Sequence, residues 1–131
     1  MGARANGPRG EKMRNSLEVD VAKILSTAGL GYQYEKMMTT KNPNGFISVD
    51  FFLEKPPLII EATRWDNPKE KSGRLKRKFE FLRKKFPKHA FAVVTTAALC
   101  ERYKSALPSD VWVLGVGSLE RFLADKLEIA G

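Results

Sequence analysis

Cysteine and histidine occur once each, as Cys100 and His89. A single cysteine excludes an internal disulfide framework, and the two together cannot assemble a Cys/His zinc site. No run approaches the roughly 18 apolar residues of a membrane span. The opening stretch MGARANGPRG lacks the apolar core of a secretory signal, and asparagine at position 6 leaves Gly2 outside a myristoylation motif. Neither a P-loop sequence nor a GxSxG elbow occurs. Acidic residues are in the minority, 15 against 23 Lys and Arg, for a net charge of +8. The expectation is a soluble cytoplasmic protein with no membrane partner and with a polyanionic one, of which nucleic acid is the first candidate.

The chain has 131 residues, 43% of them hydrophobic, which suits one domain with a real core. Its charge is segregated. Residues 69–88 (KEKSGRLKRKFEFLRKKFPK) carry 10 Lys and Arg against 2 Glu, and residues 1–14 carry 4 against 1. The remaining segments are slightly acidic. Residues 1–10 are rich in Gly, Pro, Arg and Asn and are expected to form a flexible basic arm, with residues 11–131 as the domain.

Met13, Leu17, Val21, Ile24, Leu25 and Ala28 recur at helical spacing before Gly29 and Gly31. A strand is predicted over about 32–38, a turn at KNPNG (41–45), strands at 46–53 and 58–64, and a tight Glu-Lys-Pro-Pro turn between those two. WDNPKEKSG reads as a loop. Leu75, Phe79, Leu82 and Phe86 then give an amphipathic helix over about 73–86, ended by Pro87. HAFAVVTT and VWVLGV are predicted as buried strands, separated by a helix over TAALCERYKSAL. A last helix follows Ser118, a candidate N-cap. The expected fold is α/β, a single domain of order α-β-β-β-α-β-α-β-α with a five-stranded mixed sheet flanked by helices.

Two of the apolar strands each hold one acid, Asp50 in VDFFL and Glu61 in LIIEA. Carboxylates are rarely buried alone. Counted outward from the turn that joins the strands, these two approach each other at one end of the sheet, where they repel unless a cation or a proton lies between them. Glu18, on the first helix, sits at the edge of the apolar stripe and can face the same place. Carboxylate oxygens suit a hard cation such as Mg²⁺ or Mn²⁺. Three acids beside a basic helix fit metal-assisted cleavage of a phosphodiester.

A helix with Glu, a strand, a strand with Asp, a short turn and a strand with Glu-x-polar: this order resembles the PD-(D/E)XK nuclease superfamily, which includes restriction-like endonucleases and small archaeal Holliday-junction resolvases. The resemblance spans roughly residues 11–129 and is nearest in layout to the resolvases. It implies a restriction-endonuclease-like fold and Mg²⁺-dependent endonuclease activity on DNA, branched or otherwise structured DNA included. Asp50 and Glu61 would be metal ligands and Glu18 a further one; a resolvase would act as a homodimer. Two positions depart from the pattern. Val49 replaces the proline before the Asp, and Thr63 stands where the motif has its lysine. That lysine orients the attacking water. Thr63 can hydrogen-bond a water but brings no charge, and Arg64, Lys71, Lys76 and Lys36 are open as substitutes.

Nucleic-acid contacts are expected from Lys69, Lys71, Arg74, Lys76, Arg77, Lys78, Arg83 and Lys84 in the basic segment, and from Arg9 in the arm and Arg14 just after it. Arg64 and Trp65 follow the acid, and Trp65 can stack on a base. DNA is favoured as partner, with RNA the other option. The alternative to an enzyme is a nuclease-like fold without chemistry that binds DNA or RNA, as a subunit of a nucleoprotein complex; Thr63 favours it.

Overall fold

In the computed structural model, which describes residues 5–41 and 44–130, the chain first folds back on itself. β1 (Ala5–Asn6) pairs antiparallel with β2 (Lys12–Met13). From residue 5 on, the segment expected as a loose arm is therefore tied down. The Arg9 guanidinium stacks on the Tyr32 ring at 4.2 Å and donates to the Tyr32 carbonyl at 2.6 Å. Met13, expected as the first apolar position of a helix, is fully buried but sits in β2. Residues 1–4 of the expected arm, residues 42–43 of the KNPNG turn and residue 131 lie outside the described residues.

Helix α1 (Ser16–Thr27) starts after Asn15, whose side chain accepts the Glu18 N–H. Asn at the N-cap with Glu three residues on is a helix-start signature. Strands β3 (Gln33–Lys41), β4 (Asn44–Leu53) and β5 (Leu58–Ala62) form an antiparallel meander. Helix α2 (Pro68–Lys85) carries the chain over the sheet to β6 (Ala90–Thr95), parallel to β5. Helix α3 (Ala97–Ala106) leads to β7 (Val111–Gly115), parallel to β6, and a single 3₁₀ turn at Val116–Ser118 opens into α4 (Leu119–Ala130). The result is a single α/β domain with a five-stranded mixed sheet of order β3-β4-β5-β6-β7. Among the described residues no helix is long and apolar enough to cross a membrane.

Two further expectations need correction. Helix α2 begins at Pro68, within the stretch read as a loop, because Asn67 caps it and proline suits the first helical turn, where its missing N–H costs nothing. Strand β7 is an edge strand: Val111 and Val113 are buried, whereas Trp112 is 48% exposed. Ser118, the candidate cap of the last helix, closes the 3₁₀ turn and directly precedes α4.

The sheet separates two apolar layers. Leu17, Val21 and Leu25 of α1 and Leu119 and Leu123 of α4 meet Phe51, Leu53, Leu58 and Ile60 on one face. Leu75, Phe79 and Leu82 of α2 and Leu99 and Tyr103 of α3 meet Phe52, Ile59, Phe91 and Val93 on the other. Strand β4 does not alternate regularly between them. Val49 joins the α2/α3 layer while Phe51 and Leu53 join the α1/α4 layer, although a uniform strand would send all three to one face. The break falls at Asp50. Between the pairs Tyr34–Phe51 and Lys36–Val49 the facing residue is Glu35, which adopts a left-handed backbone, φ 52°.

Candidate active site

The β4–β5 ladder runs through Phe51 opposite Ile60, and the two acids lie one step beyond it. There the side chains continue the pairing. The Asp50 N–H donates to Glu61 Oε2 at 2.7 Å, and the Ala62 N–H donates to Asp50 Oδ2 at 2.8 Å. This reciprocal clasp fixes both carboxylates just past the end of the β4–β5 ladder, with Asp50 6% and Glu61 3% exposed.

Positive charge reaches the acids from two sides. Arg14, just before α1, donates Nε to Glu18 Oε2 at 2.9 Å and Nη2 to the same oxygen at 2.6 Å. The same Nη2 also donates to Asp50 Oδ1, so one nitrogen bridges the two acids. Glu18 is completely buried and accepts two more bonds at Oε1, from the Arg14 N–H at 2.9 Å and the Tyr34 hydroxyl at 2.5 Å. From the opposite side Lys78 of α2 donates its ammonium to Glu61 Oε1. Seven residues earlier on the same helix face, Lys71 is close enough to Glu61 and Asp50 to feel their charge.

Three buried carboxylates thus face Arg14 and Lys78. Burial, and then the nearby Glu61 charge, push the Asp50 carboxyl up to about 7, although Arg14 and the Ala62 N–H pull the other way. Burial works against the Arg14 charge, but Asp50 and Glu18 outweigh it and hold Arg14 more firmly protonated than usual. Burial lowers the Lys71 pKa, Glu61 opposes that shift, and the Lys78 charge adds to it. The Tyr34 hydroxyl is raised by burial and by Glu18. Buried titratable groups that perturb one another in this way are enriched at functional sites.

The structure brings Glu18, Asp50 and Glu61 into one hydrogen-bonded group through Arg14 and the backbone. Among the described residues, however, no group of three or more His, Cys, Asp or Glu is arranged to hold a metal ion, and Arg14 stands between Glu18 and Asp50. Asp50 and Glu61 remain as an adjacent pair. Their hard oxygens are of the kind a divalent cation of the Mg²⁺ type takes, one or two protein carboxylates along with water and phosphate, although each acid here is paired with a cation of the protein.

Thr63 follows the end of β5 and is buried, but its hydroxyl turns to the loop beyond. It accepts the Trp65 N–H at 3.2 Å and lies 3.4 Å from the Tyr103 hydroxyl, which itself donates to the Trp65 carbonyl at 2.6 Å. Of the substitutes considered for the motif lysine, Arg64 reaches Ser16 Oγ, Lys36 bonds Gln33, and Lys76 is exposed; none of these contacts an acid. The nitrogen that does arrive is Lys78, which sequence reasoning had assigned to nucleic-acid contact along with Arg14. Their positions contained a signal. Lys71 and Lys78 flank the Leu75–Phe79–Leu82 stripe at heptad spacing, and Arg14 precedes the NSLE helix start. Tyr34 was missed because an aromatic in a strand predicts packing first.

The other expected contact residues divide into two groups. Lys69, Arg74, Lys76, Arg77 and Lys84 are exposed on α2. Arg74 pairs with Glu70 and lies 5.1 Å from the Trp65 ring centre, with Lys71 at 5.9 Å, so these cations already cover the ring expected to stack on a base. Arg83 binds Asp110 at 2.8 Å, and Arg9 is held by Tyr32 and Glu11. Comparison of the chain with family models, with curated proteins and with solved structures gives no match.

Proposed function

We propose that the chain is a divalent-metal-dependent endonuclease that cleaves phosphodiester bonds in DNA, on a restriction-endonuclease-like fold, with Mg²⁺ or Mn²⁺ as its ion. The observation that carries this reading is the Lys78 ammonium on Glu61. In the resembled motif the lysine follows the acid by two residues on the same strand. Here Thr63 takes that position and α2 delivers the missing charge to the same carboxylate.

Asp50 and Glu61 would hold the ion, with Glu18 behind Asp50. The ion would activate a water and neutralise charge developing on the phosphate. Lys78 orients the Glu61 carboxylate and sets a positive charge beside the place where the scissile phosphate must lie. Tyr34 and the Arg14 backbone fix Glu18. The exposed Lys69, Arg74, Lys76, Arg77 and Lys84 give salt-dependent affinity for the phosphate backbone without reading sequence. Branched DNA as substrate would require two such sites facing one junction, hence a homodimer.

One observation favours the binding module instead. All six oxygens of Glu18, Asp50 and Glu61 already accept a bond from the protein's own donors. On that reading the acids are structural and α2 is the function.

Cleavage of labelled duplex, single-stranded and four-way-junction DNA and of structured RNA separates the two, with Mg²⁺, Mn²⁺ or EDTA present. Metal-dependent cutting by the wild type that disappears in Asp50→Ala is the expected result. Salt-sensitive binding without cutting, unchanged in Asp50→Ala, would establish the binding module.

A further inference from the structure

The Nη2 atom of Arg14 lies where Glu18 and Asp50 converge, and it takes one oxygen from each. A divalent ion shared by Asp50 has to claim the same Oδ1 or sit a few ångströms from a guanidinium, where like charges repel. Arg14 and the ion therefore compete for Asp50. The competition is not locked, because the Arg14 side chain is 49% exposed while the acids it holds are buried. The guanidinium can swing outward without unfolding α1.

What would draw it out borders the same acid pair from the other side of the sheet. Lys71 and Lys78 border the acids, and Arg74, Arg77 and Lys84 continue the basic surface outward along α2. A backbone phosphate held beside Lys71 lies within the field of Arg14, whose charge Lys71 itself feels. A guanidinium fork also matches phosphate as well as it matches carboxylate.

Resting on the nuclease reading, we infer that Arg14 is an internal counter-cation that keeps Asp50 occupied until a nucleic-acid phosphate takes the guanidinium away. Metal binding and nucleic-acid binding are then positively linked. The protein without nucleic acid is a poor metal binder, and a phosphate backbone on α2 both recruits Arg14 and vacates Asp50 for the ion. By reciprocity, the ion tightens nucleic-acid binding by the same factor. The ion-free acids stay neutralised in the meantime, so the buried carboxylates of the clasp do not face one another uncompensated.

Mn²⁺ affinity, measured by paramagnetic resonance with and without a short DNA duplex and with the duplex alone as blank, tests the linkage. In the wild type the duplex should tighten Mn²⁺ binding. In Arg14→Met, Mn²⁺ should bind without the duplex about tenfold or more tightly than in the wild type, the worth of one charge-assisted hydrogen bond, and the effect of the duplex should shrink. Arg14→Lys, which keeps a charge but has one nitrogen to share between the two acids, should fall between them, and it serves if thermal melting shows that Arg14→Met does not fold. Equal or weaker Mn²⁺ binding in Arg14→Met, or a wild-type affinity indifferent to the duplex, overturns the inference and leaves the nuclease reading intact. No Mn²⁺ binding by any of the proteins, with or without the duplex, overturns both.

Discussion

Replacing Asp50 by asparagine should make the protein more stable, and increasingly so as pH rises. Asp50 is buried with Glu61 beside it, and its carboxyl is pushed from 3.8 up to about 7. The folded state therefore holds a proton that the unfolded chain has already released between about pH 4 and pH 7. In that window stability falls as pH rises, and above it the full cost is present. A displacement of about three pH units corresponds to roughly 4 kcal/mol at 1.36 kcal/mol per unit. Asparagine keeps an oxygen for the Ala62 N–H, which returns part of the clasp. Its NH₂ then faces the Arg14 donor, at a cost of about 1–3 kcal/mol for the lost acceptor. The net gain at pH 8 is about 1–3 kcal/mol, or roughly 3–10 °C in melting temperature for a domain of this size. At pH 5, where the wild-type carboxyl is protonated in the fold, most of the advantage should vanish. Thermal melts of both proteins from pH 5 to pH 8, with and without Mg²⁺, provide the measurement. Mg²⁺ at ten times its dissociation constant should raise the wild type by about 1.4 kcal/mol and the variant by much less. A variant less stable than the wild type at pH 8, or a difference flat across the pH range, would refute the argument that burial and Glu61 dominate at Asp50.

Further expectations bear on other parts of the molecule. Lys78→Met should lower cleavage by about a hundredfold or more while leaving duplex affinity nearly unchanged, because Lys78 faces Glu61 rather than solvent; gel-shift and cleavage assays on one preparation separate the two effects. The triple change Lys76→Ala, Arg77→Ala, Lys84→Ala should flatten the slope of log affinity against log salt by up to about 2.7, at about 0.9 per phosphate contact, as read from a salt titration of duplex binding. Tyr103→Phe removes the hydroxyl that holds the Trp65 carbonyl at 2.6 Å; a loss of about 1 kcal/mol in urea unfolding is expected.

The architecture was legible because each element carries its own mark: short apolar runs divided by turn residues in the meander, a continuous apolar run in β6, a 3.6 repeat in α2. Asp50 and Glu61 stood out for the same reason, as charges in strands otherwise built for burial. The partners of those acids were harder to see. Lys78 is one of ten basic residues between 69 and 88, and nothing in the composition separates a lysine aimed at a carboxylate from one aimed at water until α2 is rotated onto the sheet. Asn67-Pro68 looked like loop chemistry because cap and turn draw on the same residues. At Glu35 no glycine announces a left-handed backbone, so the kink opposite Asp50 had no local mark.

That kink has a consequence for how the molecule comes apart. Ile47, Val49, Phe51 and Leu53 look like one uninterrupted face of β4, yet Ile47 and Val49 pack with α2 and α3 while Phe51 and Leu53 pack with α1 and α4. A single strand is stitched through both halves of the core, and Asp50 is the stitch. A layer that melts alone pulls on the acid at the crossing, so the two halves should come apart in one transition, read as a single step in the melts. Whatever engages Asp50 is felt on both sides of the sheet at once.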